Sequence, residues 1–154
     1  MKLYLAGAYA ARDVLRDRVV PMLESVGHEV TSGWLQGSRP ISPLTIGTSP
    51  ISTDAEVADF VRGDLQDILN ADALVLMTGN AMMGLDRNLD PLQLHTGGRH
   101  FETGFAHALG VPVVVVGQPE NVFHRALATR TSYAGLLTTL RDLSRATVDR
   151  HTDH

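Results

Sequence analysis

The chain has no cysteine, which excludes disulfide staples, a thiol nucleophile and any cysteine-based zinc site. Long apolar runs are also missing, and none approaches the ~20 residues needed to span a bilayer. A single Lys precedes Leu3, Tyr4 and Leu5. That is too short for the apolar region of a secretion signal, and no small-residue cleavage pattern follows, so a cytoplasmic location is expected. Charge of one sign does not dominate: 13 Lys and Arg stand against 17 Asp and Glu, for a net charge of −4. The basic residues are scattered, whereas a reader of polymeric nucleic acid clusters its Lys and Arg. The expected partner is therefore a small molecule, with no polymeric nucleic acid and no membrane. What is present suits one globular domain over residues 1–154: 44% hydrophobic residues in 154, enough to bury one core.

The patterning alternates between strand and helix. Lys2-Leu3-Tyr4-Leu5-Ala6 forms a buried strand ended by Gly7. Val14, Leu15, Val19, Met22 and Leu23 recur at helical spacing from about Arg12 to Ser25, with Pro21 expected to bend the helix and Gly27 to stop it. Residues 28–31 form a short strand. Residues 32–52 are rich in Ser, Gly and Pro without a period, which marks a functional or disordered loop. Thr53 and Asp54 cap a helix to about Asn70, and Ala73–Met77 is an apolar strand. A second loop is expected over 78–97, then a helix from Arg99 to Leu109, ended by Gly110. Residues 111–116 are the most β-prone segment. A closing helix spans Leu136 to about Thr147, with a frayed tail over 148–154. This order predicts an α/β chain, doubly wound, with a mostly parallel sheet of about five strands in a flavodoxin-like three-layer sandwich. Segments 7–12, 78–102 and 117–124 should meet beyond the carboxyl ends of the strands, where such folds bind ligands.

The stretch Thr96-Gly97-Gly98-Arg99-His100-Phe101-Glu102-Thr103-Gly104 is the most informative. Its glycines free the backbone to approach a ligand where a helix begins. Glu102 falls near the first turn, where the macrodipole favours the anion by ~0.3–1 kcal/mol. A carboxylate so placed suits attack on an anomeric carbon, as in retaining glycosidases. On spacing alone, a favourable first-turn acid on a surface helix explains it as well. Tyr4 is either core packing or, through its hydroxyl, the partner of that carboxylate. Asp64 and Asp67 share a helix whose Phe60, Leu65 and Ile68 look inward; helical geometry alone allows both to be surface residues, or one acid could face the cleft and bind or protonate a leaving base while the other is solvated. The turn Gly7-Ala8-Tyr9-Ala10-Ala11-Arg12 falls short of a dinucleotide fingerprint, though Arg12 could meet a phosphate. His95, His100, His107 and His124 raise the question of a metal, but none forms a His-Glu-x-x-His pair, and no metal is expected. There is no nucleophile elbow and no Walker loop.

Together these segments resemble the nucleoside 2-deoxyribosyltransferase family and its nucleotide N-hydrolase relatives. The likeness runs through Leu3 to Tyr9, Gly63-Asp64-Leu65, Ala71 to Val75, Gly97 to Ala106, Val113 to Gly117 and Asn121-Val122-Phe123-His124, covering roughly residues 2–125 except 32–52. The resemblance implies that Glu102 is the nucleophile, Tyr4 orients it, and Asp64 handles the base. It implies cleavage of the N-glycosidic bond of a (deoxy)nucleoside or its 5′-monophosphate, with transfer to another base or to water and no cofactor. Transferases of the family often carry an acid six residues before the nucleophile. Here that position is Thr96, and the hydrolase relatives have a small hydroxyl residue there, near the phosphate. Gly7, Tyr9, Arg12, Trp34, Thr96, Gly97, Gly98 and Arg99 are the expected substrate contacts, with Trp34 on a lid or base-stacking element. A homo-oligomer, dimer or larger, is implied, in which Asn121 acts in trans. The alternative is a non-catalytic module that senses a nucleotide with the same cleft.

Overall fold

The structure is a computed structural model that describes residues 1–36, 53–95 and 98–152. In chain order the elements are β1 (Lys2–Ala6), α1 (Arg12–Val14), α2 (Val20–Glu24), β2 (Glu29–Val30), α3 (Asp54–Leu69), β3 (Ala73–Met77), α4 (Gly79–Leu85), α5 (Arg99–Ala108), β4 (Val113–Val116), α6 (Val122–Leu127), β5 (Thr129–Thr131) and α7 (Leu136–Thr152). The five strands form one sheet in the order β2-β1-β3-β4-β5. Every pairing is parallel, with Tyr4 opposite Leu74 and Leu74 opposite Val113. This is the doubly wound, flavodoxin-like order, in which the direction of winding reverses between β1 and β3. Right-handed crossovers then put helices on both faces. That is why β3 and β4 are buried along their whole length and are made of aliphatic residues and Met77 without alternation.

Local chemistry sets the element ends. Thr53 caps α3 through a capping box, its hydroxyl accepting from the Glu56 N–H while the Glu56 carboxylate accepts from the Thr53 N–H at 2.8 Å. Gly27 and Gly110 follow α2 and α5 with φ of 86° and 74°, the left-handed conformation that stops a helix. Pro21 stands at the start of α2 and acts on the turn before it. It lacks an N–H and would crowd the Asp17 carbonyl, and the preceding turn over Leu15–Val19 widens to π geometry.

Three expectations are corrected. Residues 78–97 are not one loop, because α4 and a 3-10 turn at Gln93–His95 lie within them. Helix α6 and strand β5 were not anticipated. The last helix continues to Thr152, past the frayed tail expected from 148. Of the long loop over 32–52, the described part is a 3-10 turn at Gly33–Leu35, and 37–52 lie outside the described residues. No helix among the described residues is long and apolar enough to cross a membrane.

Candidate active site

The reversal of winding brings the end of β1 beside α3 and the start of α5. Tyr4 is fully buried in β1, and its hydroxyl donates to Glu102 Oε1 at 2.9 Å. On α5, Arg99, Thr103 and Ala106 form the buried face, which leaves Glu102 at its margin, turned over the strand end. Asp64 is the buried acid of α3. Both carboxyls line a cleft of about 170 Å³ together with Gly7, Tyr9, Trp34, Phe60, Val61, Leu65, Gly98 and Phe101. The cleft is a small aromatic and aliphatic slot with two acids, which suits a flat heteroaromatic ring bearing basic nitrogens.

Electrostatics separates the acids from ordinary surface carboxylates. Burial pushes the Glu102 carboxyl up to about 7, and the nearby Asp64 charge adds to this. The Tyr4 hydrogen bond and the Arg99 charge act in the opposite direction. The helix N-terminus therefore does not decide the ionisation of Glu102; a dipole worth under ~1 kcal/mol loses to burial. Asp64 is also pushed up to about 7, by burial first and the Asp67 charge second, with the Tyr4 hydroxyl tempering the rise. The Tyr4 phenol is raised far above its usual range by burial and by the charges of Glu102 and Asp64, so it stays a neutral donor. Two carboxyls titrating together near neutrality hold about one proton between them.

The remaining candidates divide by position. Trp34 is buried, and its indole N–H donates to the Leu5 carbonyl at 2.9 Å. The Ser32 hydroxyl accepts from the Leu5 N–H at 2.6 Å, and Asp67 accepts from the Gly33 N–H at 2.8 Å. Trp34 thus stands as a wall of the cleft, the position a base-stacking residue needs. Tyr9 packs on it at 6.4 Å between ring centroids and accepts a hydrogen bond from Arg12 at 2.9 Å. Gly7 must be small, because a Cβ there would lie 2.6 Å from Leu15 Cδ1. Gly98 has an ordinary helical φ of −74° and lines the cleft, so its lack of a side chain bears on close approach and not on backbone conformation. Arg99 is buried and forks onto Glu120, donating from Nε to Oε2 and from the second nitrogen to Oε1, each at 3.0 Å. It supports the start of α5 instead of lining the cleft. Asn121 also lies outside the cleft, where its side-chain oxygen caps α6 by accepting from the His124 N–H at 2.9 Å. Thr96 and Gly97 fall outside the described residues. Val61 and Phe101 were missed as lining because both are exposed apolar residues; a stacked Phe101–Phe105 pair at 6.3 Å and its i, i+4 spacing were the available signal.

No family model matches the chain. Among curated proteins, an acetylglutamate kinase of Methanococcoides burtonii is 37% identical over a stretch covering 37% of this chain and 24% of the kinase. The chain thus matches about a quarter of that relative's length. Among solved structures, a 2-deoxyribosyltransferase of Bacillus psychrosaccharolyticus superposes with a TM-score of 0.57 and 20% identity, covering 86% of each chain. The two share a fold. A shared fold does not carry a shared activity, so the chemistry of the cleft has to be argued from its own side chains.

Proposed function

We propose that this chain is an enzyme that cleaves the N-glycosidic bond of a deoxynucleoside or its 5′-monophosphate through a covalent glycosyl-Glu102 intermediate. The observation behind this reading is the Tyr4 hydroxyl held at 2.9 Å from Glu102 inside a cleft that also contains the buried Asp64. A buried phenol that donates to a carboxylate favours its ionised form and fixes its direction. The likeness to a 2-deoxyribosyltransferase supports the same reading.

In the first step a Glu102 carboxylate oxygen bonds to C1′ and the C1′–N bond breaks, its electron pair going to the base. Asp64, protonated, transfers its proton to the departing base. In the second step water or another base attacks C1′ and the ester to Glu102 breaks, while Asp64 accepts the proton of the incoming group. Tyr9, Trp34, Phe60 and Phe101 hold the base by its faces. Self-association belongs to the proposal: Asn121 lies outside its own chain's cleft and can serve one only in a second copy, so sedimentation should give a mass above 16.7 kDa.

The test is base release from a panel of deoxynucleosides, their monophosphates and the ribo counterparts, each with and without a second base. Release from wild type and none from Glu102→Ala, with a deoxyribosyl adduct seen by intact mass, supports the reading. Dependence on the second base separates transfer from hydrolysis. Tight binding without release, unaffected by Glu102→Gln, assigns the cleft to nucleotide sensing.

A further inference from the structure

We propose that His100, Glu120 and His124 form a binding site for a zinc-class divalent cation, separate from the cleft and facing a second cavity. Each residue offers one ligand atom, and the three atoms lie within 4.8 Å of one another. The cavity beside them measures about 690 Å³ and is lined by all three, together with Thr103, His107 and Asn121. His100 and Glu102 are two positions apart on α5, about 200° around the helix at 3.6 residues per turn, so the cluster and the nucleophile lie on different sides of the same first turn.

The donor set and its second shell fit such an ion. Two imidazoles and one carboxylate are a zinc set that leaves a fourth position open. With bonds of ~2.0–2.2 Å the ligand atoms of a tetrahedral site sit roughly 3.3 Å apart, so modest side-chain rotation closes the present spacing. Glu120 is held rigid: Oε1 accepts from Arg99 and from the Gly79 N–H at 2.8 Å, and Oε2 accepts from the Arg99 Nε. A carboxylate has about four acceptor positions. The Arg99 and Gly79 hydrogen bonds occupy three, which leaves one position, on Oε2, for an ion. The imidazole rings stand 5.3 Å apart. The Asn121 amide nitrogen lies 3.4 Å from His100 Nδ1 and 3.2 Å from His124 Nε2, so an ion held by these two ring nitrogens displaces it. His124 Nδ1 is also met by the Glu120 N–H at 3.3 Å. The Arg99 charge shares Glu120 and weakens its donation, which places the expected affinity in the micromolar class and not the tighter class of structural zinc sites.

The sequence pattern hid this group because its members come from separate segments: His100 from the start of α5, Glu120 from the β4–α6 connection and His124 from α6. The ion would tie these segments together. The test uses untagged protein stripped with chelator and titrated with Zn²⁺ by calorimetry, and with Co²⁺ by absorption. The expected result is one ion per chain, a tetrahedral Co²⁺ spectrum, and at least a tenfold loss of affinity in His100→Ala. His107→Ala, in the same cavity, should bind as wild type. Asn121→Asp keeps the cap and replaces the N–H donor by an oxygen ligand, so it should bind at least tenfold tighter. No saturable binding, or binding equal in wild type and His100→Ala, overturns the site. His100 is exposed, so its loss tests the site without threatening the core. Base release is not the readout, and failure here leaves the Glu102 reading untouched.

Discussion

Tyr4 and Glu102 are separated by 98 positions, and each explains the other's burial. A hydroxyl or a carboxyl buried without a partner costs about 1–3 kcal/mol or more; together they satisfy one another and leave a carboxylate oxygen for chemistry. Tyr4→Phe removes the donor that favours the ionised form. The expected outcome is a drop in kcat of roughly 10–100-fold, from the ~1.5–3 kcal/mol of a hydrogen bond to a charged group. The acid limb of the pH–rate profile should also move to higher pH, which loss of packing alone would not cause. Stability carries a separate signature. Folding raises the Glu102 carboxyl from 4.5 to about 7, so its contribution is fully present below about pH 4.5 and is lost as pH rises through 7. Glu102→Gln keeps an acceptor for Tyr4 without the buried charge. It should therefore be more stable than wild type at pH 8.5, by on the order of 1–3 kcal/mol, with the gain gone at pH 4.5. Urea unfolding at the two pH values measures this, and an equal effect at both would remove Glu102 as the titrating group.

At the scale of elements, the turn after β1 is the tightest point of the site. Gly7 lines the cleft, and a Cβ there meets the tip of Leu15 and, at 3.3 Å, the Met82 sulfur. Gly7→Ala should cost about 1–3 kcal/mol, the usual range for overpacking, and should raise KM as the turn is pushed into the cleft. Thermal unfolding and steady-state kinetics on one preparation test both effects. Why some elements were legible and others not has physical causes. Strands β1, β3 and β4 are continuous apolar runs, and α3 announces itself with Thr53 and Glu56. Strand β5 is three residues, Thr129-Arg130-Thr131, at the sheet edge and largely exposed, so it carries no apolar run to detect. Helices α4 and α6 have seven and six residues, too short for a 3.6-residue period to emerge. The role of Arg99 was illegible for another reason: only the fold shows that Glu120, 21 positions away, lies beside it.

At the scale of the molecule, the strand order decides which side chains meet. Alternating strands and helices predict a parallel sheet, but they do not state that β1 lies between β2 and β3. That placement sets Tyr4 and Gly7 at the reversal, with α3 and α5 supplying the two acids. The result is a pair of carboxyls that are both pushed up to about 7, and the consequence for activity follows from the roles proposed for them. Glu102 attacks only when ionised, so kcat/KM should rise about tenfold per pH unit below the pair's first pKa. Asp64 donates only when protonated, so the rate should fall by a similar slope above the second. The profile is then a narrow bell centred near neutrality, its limits belonging to the pair and not to either residue alone. Asp64→Asn should abolish the alkaline limb and keep the acid one. It should also lose least with bases that leave readily as neutral molecules, such as N7-alkylated purines, because these need no proton to depart. Glu102→Ala lacks the attacking atom and should be inactive with every base. If Asp64→Asn loses the same factor with good and poor leaving groups, Asp64 binds the base without protonating it. The alkaline limb must then come from another group.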